Sequence, residues 1–424
     1  MEVLRVGSRG PDVELLQTAL RRAGAFQGAA DGVFGAVTER AVMDFQSRHG
    51  LASDGVAGPL TWNALHPWLT GYIRHTVQAG DTLFALARRY DTTVRAIQTA
   101  NPGAAAENLQ IGTPITVPLP FDVVPSGIRF TSHLLAFCVE GLAARYPFIR
   151  VSGIGSSVLG KTLHTLAIGE GRNEVLYNAS HHANEWITTP VLMRFAELYA
   201  ASRAGLDLTM LSPVAAEMYA KTTIYLVPMV NPDGVDLVTG AIAPGSAVYE
   251  TARAMNYLRL PFPSGWKANI RGVDLNVNYP ATWETAREIK FAQGYVLPGP
   301  RDFVGERPLS EPESQAMAAF TRSRDFSLTL SYHTQGEVIY WRYLNFLPPR
   351  SEEIVRLLSR VSGYAYEDTP FASGHAGYKD WFIQEYNRPG YTIECGLGIS
   401  PLPVSQFGRI FRDNIGILTL PALL

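Results

Sequence analysis

The chain is poor in cysteine, in lysine and in long apolar runs, and each shortage removes a class of protein. Two cysteines among 424 residues, Cys138 and Cys395, cannot build a disulfide framework, so stability has to come from packing. No apolar stretch reaches the length that crosses a bilayer, so no membrane insertion is expected. Met1 to Leu16 carries Glu2, Arg5, Arg9, Asp12 and Glu14, which leaves no apolar core for a signal peptide. The expectation is synthesis in the cytoplasm, with any export by a route the sequence does not display. Excess charge is missing too. A formal net charge of −2 gives no electrostatic case for nucleic acid or an anionic membrane. Lysine supplies only five of the 36 cationic side chains, which favours chemical retention where one falls in a motif, as Lys267 and Lys379 do. The remainder is ordinary: 46% hydrophobic residues and a length that suits two to four domains.

The most informative stretch is His182-Ala183-Asn184-Glu185-Trp186, where an apolar strand (Val175 to Asn178) gives way to a helix expected over Trp186 to Tyr199. A His and a carboxylate three apart at such a junction can converge on one cation, as zinc hydrolases require. A third ligand is best sought at His333, delivered by the alternating strand Phe326 to Tyr332 and followed by a turn through Gly336. Glu394, a lone carboxylate in the uncharged strand around Tyr391 to Cys395, is the candidate general base. Val227 to Gly234 reads as another strand ending in turn chemistry, and Trp266 to Tyr279 as a polar loop too rich in Asn and Asp for a core. His181 rivals His182, because it too can share a helical face with Glu185. His375 reads as structural or substrate-lining. Cys395 lacks a nearby His to activate it and reads as a small packing residue.

In their order, His-x-x-Glu, Asn231-Pro-Asp-Gly234, Gly272-Val-Asp-Leu-Asn276, His333 and Glu394 resemble the motifs of the zinc metallocarboxypeptidases over residues 125–424. The resemblance implies one zinc per chain held by His182, Glu185 and His333, with Glu394 as general base. It puts Lys267 where the family usually has an Arg that polarises the scissile carbonyl, and Asn276 among the substrate-binding residues.

Two small modules precede that region. Residues 3–69 repeat a turn and a helix, Asp31-Gly-Val-Phe-Gly35 being echoed by Asp54-Gly-Val-Ala-Gly58, with Thr38 and Thr61 in the helix starts. The stretch is similar to the three-helix peptidoglycan-binding domains. Residues 72–120 read as strand, helix, helix, strand, with Asp81 or Thr82 capping a helix near Leu83, and resemble a LysM domain. That resemblance implies N-acetylglucosamine glycan contacts through Gly80, Asp81, Thr82, Leu83, Asn108 and Ile111. Pro118 to Pro120 and Val124-Pro125 read as a stiff hinge. The expected fold is therefore α/β: a mixed sheet of about eight strands flanked by helices, preceded by a three-helix domain and a βααβ domain.

The departures narrow the function. Family carboxypeptidases hold a terminal carboxylate with an Arg after the motif Asn, and here Val277 stands there. Pro370-Phe371-Ala372-Ser373-Gly374 likewise occupies the place of the family's mobile Tyr. With two wall-binding modules, the chain resembles the branch of bacterial γ-D-glutamyl-diaminopimelate endopeptidases, some of which act in sporulation. That implies peptidoglycan as partner, the stem peptide at the active site, and action at the cell wall or spore integument. Lys379 is a candidate for the extra carboxylate of diaminopimelate, the alternative being a solvated surface residue. The rival functions are an LD-carboxypeptidase, a peptidase for released muropeptides, and an inactive wall-binding scaffold. Oligomeric state is not legible.

Overall fold

The computed structural model describes residues 1–104 and 109–424, which divide into two compact units. The first comprises residues 1–129, 133–150 and 197–212, and the second residues 130–132, 151–196 and 213–424.

The first unit opens with three helices, Pro11–Arg22, Ala36–Arg48 and Pro59–Thr70. Two of them begin with Pro, at a position where the missing N–H would have had no partner. Val13, Leu16, Leu20, Val42, Phe45 and Leu65 are all buried. The sequence echo is a structural one. Gln17 Nε2 donates to Asp31 Oδ1 (2.8 Å) and Thr38 Oγ1 (3.1 Å), and its Oε1 accepts from Gly32 N at 3.0 Å. Gln46 repeats the pattern with Asp54 (2.8 Å), Thr61 (3.0 Å) and Gly55 N (3.0 Å). Each Asp-Gly turn is thus locked onto the helix before it by one buried amide, and Gly32 and Gly55 supply the positive φ the turn needs.

β1 (Tyr72–Thr76) pairs antiparallel with β2 (Pro114–Pro118) around helices Leu83–Arg89 and Val94–Ala100. Thr82 caps the first helix by accepting from Ala85 N, and Thr93 caps the second through Ala96 N. Asn101 ties the second helix to β2, its side chain bonding Ile97 O and both Thr116 backbone groups. The segment read as a stiff hinge is held by side chains of the first unit: Arg22 donates to Asp122 O and Val123 O, and the Glu197 carboxylate accepts from Val123 N and Val124 N. Val123 and Val124 are buried.

In the second unit β3 (Arg150–Ser156), β4 (Thr162–Ile168), β5 (Asn173–Ala179), β6 (Thr222–Val227), β7 (Phe326–His333), β8 (Val338–Tyr340), β9 (Ala365–Glu367) and β10 (Gly390–Glu394) form one sheet. Its order is β3-β4-β6-β5-β7-β10-β8-β9, and β6, β5, β7 and β10 run parallel at its centre. Helices such as Pro232–Thr239, Pro312–Arg322 and Tyr378–Tyr386 flank it. This is the expected mixed eight-stranded architecture. Central strands covered on both faces read as largely apolar runs, and every residue of β6 is buried. Leu176, Tyr225, Val227, Phe326, Tyr279 and Trp381 belong to one core cluster.

Two local expectations shift. Ala183–Glu185 forms a 3-10 turn and the α-helix starts at Thr188, not at Trp186. β6 ends at Val227, and Asn231-Pro-Asp-Gly234 starts a helix instead of closing a strand. Asn231 Oδ1 accepts from Gly234 N, and Pro232 takes the first helical position. Among the described residues no helix is long and apolar enough to cross a membrane.

Candidate metal centre and active site

Parallel strands open their carboxyl ends on one edge of a sheet, and there ligands bind in open α/β folds. His182 follows the end of β5 by three residues, His333 ends β7, and Glu394 ends β10. Glu185 sits in the 3-10 turn that brings the chain back beneath His182. His182 Nδ1 lies 2.9 Å from Glu185 Oε1, and His333 Nδ1 2.9 Å from Glu185 Oε2. The two Nδ1 atoms are 3.0 Å apart. Ligands of a tetrahedral zinc at about 2.0–2.1 Å lie roughly 3.3 Å from one another, so this spacing suits a cation at their centre. Their ligand atoms all fall within 4.8 Å of one another, and all three residues are buried. The donor set, two imidazoles and one carboxylate, is the chemistry zinc takes in hydrolases.

His181, the rival, points elsewhere: its Nε2 meets Tyr279 Oη at 3.0 Å, and burial holds its ring well below the usual histidine range. The sequence left Asp274 without a role. Its Oδ1 lies 3.2 Å from His182 Nε2, which orients the ring and presents Nδ1 toward Glu185. The signal was a lone acid inside a loop that turns out to be buried. Burial draws His182 down, but Glu185 and Asp274 outweigh it and the ring is raised to about 9. Burial would raise Glu185 and Asp274, but His182, with His333 at Glu185 and Lys267 at Asp274, holds both well below the usual carboxylate range.

A cleft of about 230 Å³ opens beside this cluster, lined among others by His182, Lys267, Asn276, Val277, Lys379 and Glu394. Burial, then the negative field of Glu185, pushes the Glu394 carboxyl up to about 8, with Lys267 and His182 opposing. Lys267 Nζ is 3.9 Å from Glu185 Oε1, and Glu185 and Asp274 raise its ammonium despite burial. Asn276 Oδ1 accepts from Tyr378 N at 3.1 Å.

Lys379 lines the cleft, and its head group has partners within the protein. Its ammonium donates to Arg342 O (2.9 Å) and Thr369 Oγ1 (3.2 Å) and forms an ion pair with Asp380 at 2.6 Å. Its side chain is only 4% exposed, with two donors spent on these oxygens and its charge set against Asp380. His375 bonds Thr282 Oγ1 at 2.7 Å and packs edge-on to Phe371. Burial raises the Cys395 thiol well above its ordinary range, as packing rather than nucleophilic use requires.

In the βααβ module Leu83 is corrected, because it is buried in the module's core. Asp81 and Thr82 spend their side chains internally, Asp81 on His75 Nε2 (2.7 Å) and Gln78 N, Thr82 on its cap. Gly80 takes a positive φ and is open to solvent, and Ile111 is 70% exposed. Asn108 lies outside the described residues.

Residues 136–414 match the zinc carboxypeptidase family, residues 9–65 a peptidoglycan binding domain and residues 75–118 a LysM domain. A gamma-D-glutamyl-L-diamino acid endopeptidase 1 of Lysinibacillus sphaericus is 46% identical over 279 residues, 66% of this chain and 68% of that protein. The uncharacterized protein YqgT of Bacillus subtilis is 40% identical over 276 residues, covering 64% and 72%. The carboxypeptidase A of Helicoverpa armigera, at 19% identity, superposes with a TM-score of 0.51 over 90% of this chain and 85% of its own. That structural likeness speaks for the fold alone. With the family's metal matched by a buried His–Glu–His set, the cofactor is zinc. The chain belongs to the zinc carboxypeptidase family.

Proposed function

We propose that the protein is a peptidoglycan peptidase that hydrolyses the γ-D-glutamyl-diaminopimelate bond of cell-wall stem peptides. One observation carries the reading: a full hydrolytic set stands at the open end of the sheet, beside a cleft whose position 277 is a neutral valine. Position 277 itself offers no cation to a terminal carboxylate. The relative named for the γ-D-glutamyl-L-diamino acid bond and the two wall-binding modules support the same substrate.

In this reading His182, Glu185 and His333 hold one zinc, and Asp274 orients His182. Bound there, the zinc would supply Lewis acidity for activating a water and polarising the scissile carbonyl. Glu394 accepts the water's proton and returns it to the leaving amine as the C–N bond breaks. Lys267 donates to the developing oxyanion, and losing such a donor costs roughly 100–1,000-fold in turnover. Asn276 keeps its amide NH₂ for substrate while its oxygen is held by Tyr378 N. The LysM domain grips N-acetylglucosamine glycan near Gly80 and Ile111. With the peptidoglycan binding domain it raises the local concentration of stem peptide. The site of action is the cell wall or the spore integument.

Mass spectrometry of products from L-Ala-γ-D-Glu-diaminopimelate-D-Ala tests the reading. The expected products are L-Ala-D-Glu and diaminopimelate-D-Ala. Release of D-Ala alone would make the enzyme an LD-carboxypeptidase. An intact substrate in the presence of stoichiometric zinc would leave a wall-binding scaffold.

A further inference from the structure

Val277 removes a cation from the cleft, yet the cleft is not short of cationic charge. Lys267, Lys290, Arg301 and Lys379 all line it, against Asp274, Asp302, Asp380 and Glu394. Lys379 is cancelled by Asp380. Asp302 is shared: Lys290 Nζ meets its Oδ1 at 2.6 Å, and Arg301 Nε meets its Oδ2. Of the two cations on this carboxylate the buried one is Lys290. The other, Arg301, is 43% exposed and lines the cleft.

Arg301 is also held in place. Pro300 O accepts from both Lys267 N (2.7 Å) and Ala268 N (3.0 Å), which fixes the backbone before Arg301 to the strand of chain bearing Lys267. Asp302 N donates to Asp274 Oδ2 at 3.1 Å, which fixes the backbone after it to the acid that orients His182. Asp302 takes a φ of 63°, a conformation kept by those bonds and by the two cations on its carboxylate. Nε is engaged by Asp302, while among the described residues the two terminal amino groups have no protein partner. A planar fork anchored at Nε, with both Nη groups free in a cleft, is preorganised for bidentate capture of a carboxylate.

We propose that Arg301 is the carboxylate-recognition residue of this cleft, doing from a different loop what position 277 cannot do. The proposal rests on the peptidase reading above and names how that site selects its substrate. Two substrate carboxylates lie near the scissile bond: the α-carboxylate that a γ-linked D-Glu leaves free on the acyl side, and the side-chain carboxylate of diaminopimelate on the leaving side. An α-linked peptide of neutral residues offers neither, so one arginine separates wall stems from ordinary peptides.

The experiment compares the full-length zinc enzyme with Arg301→Gln and Arg301→Lys on three tetrapeptide stems. One is unmodified, one carries D-isoglutamine in place of D-Glu, and one carries diaminopimelate amidated on its side-chain carboxyl. A second readout is calorimetric binding of the same stems to Glu394→Gln, with and without Arg301→Gln. In the unaltered enzyme, one of the two amidations should lower kcat/KM by ~10-fold or more, as loss of a charge-assisted contact does. In Arg301→Gln that amidation should change nothing further, and Arg301→Lys should restore part of the discrimination. The amidation that behaves this way identifies the carboxylate. Equal losses in Arg301→Gln on all three stems, or undiminished discrimination, would overturn the proposal while leaving the peptidase reading in place. Stems neither bound nor cut by the unaltered enzyme would take down both.

Discussion

Glu394 and His333 are register partners: they end the adjacent parallel strands β10 and β7 and stand opposite each other at the mouth of the sheet. Paired residues on neighbouring strands project to the same face. One strand therefore delivers a candidate ligand and its neighbour the candidate base, and the pairing of the ladder sets their separation. A single-residue slip of β10 would turn Glu394 to the other face.

Glu394→Gln is expected to fold, to bind zinc at the level of the unaltered enzyme, and to lose about 100–10,000-fold in kcat on a stem tetrapeptide. Metal analysis alongside turnover checks this. Loss of zinc together with activity would make Glu394 a ligand or a structural residue.

Asp274→Asn keeps the shape of the loop but changes what His182 Nε2 faces. Outer-shell partners of this kind are worth about 10–100-fold in metal affinity or activity, and a drop of that size is expected in a zinc competition titration. Unchanged affinity and turnover would leave Asp274 to the backbone bonds it accepts from Asn276 N and Asp302 N.

The metal cluster was legible because His333 ends an apolar strand and His182 and Glu185 follow shortly after another, where a His or Glu contrasts with the apolar run before it. The repeated Asp-Gly turns were legible for a related reason, since local turn chemistry is written in adjacent residues. Asp274, Lys290 and Arg301 were not, because their roles come from pairings across a loop that only tertiary structure closes. The internal partners of Lys379 were not legible either, because a sequence does not show that the neighbouring Asp380 is buried with it. Residues 118–125 read as a hinge from their prolines, while Arg22 and Glu197, which pin them, lie far away in the chain. Asn231-Pro-Asp-Gly234 carried the signature of a helix start, and the apolar run before it masked that signature.

Stability should fall as pH rises through the range set by Glu313. This buried carboxyl accepts from Val158 N and Asn269 Nδ2, yet burial, with Asp233 nearby, raises it from 4.5 to about 7. Between those values the unfolded chain has released the proton and the folded one has kept it. The unfolded state then binds fewer protons, and the slope of unfolding free energy against pH is negative. The contribution is present in full below pH 4.5 and is lost by about pH 7, on the order of 3 kcal/mol in all. Glu313→Gln should therefore flatten the pH dependence of the urea midpoint between pH 5 and 8. A variant with the same slope as the parent would show that another group governs that window.

Lys379→Met should damage the fold rather than the specificity. The Lys379–Asp380 pair is 4% exposed on both sides, and removing the cation leaves a buried carboxylate with its charge uncompensated. Breaking such a pair costs about 3–5 kcal/mol, far more than an exposed ion pair is worth. It also frees Arg342 O and Thr369 Oγ1 of their donor, next to the wall of the cleft. The expected result is a clear fall in melting temperature with an unchanged ratio of rates on diaminopimelate and Lys stems. Lys379→Met with Asp380→Leu should recover much of the lost stability, because two apolar groups need no partner. A normal melting temperature with a selective loss on diaminopimelate stems would instead return Lys379 to the substrate and count against Arg301 as the carboxylate reader.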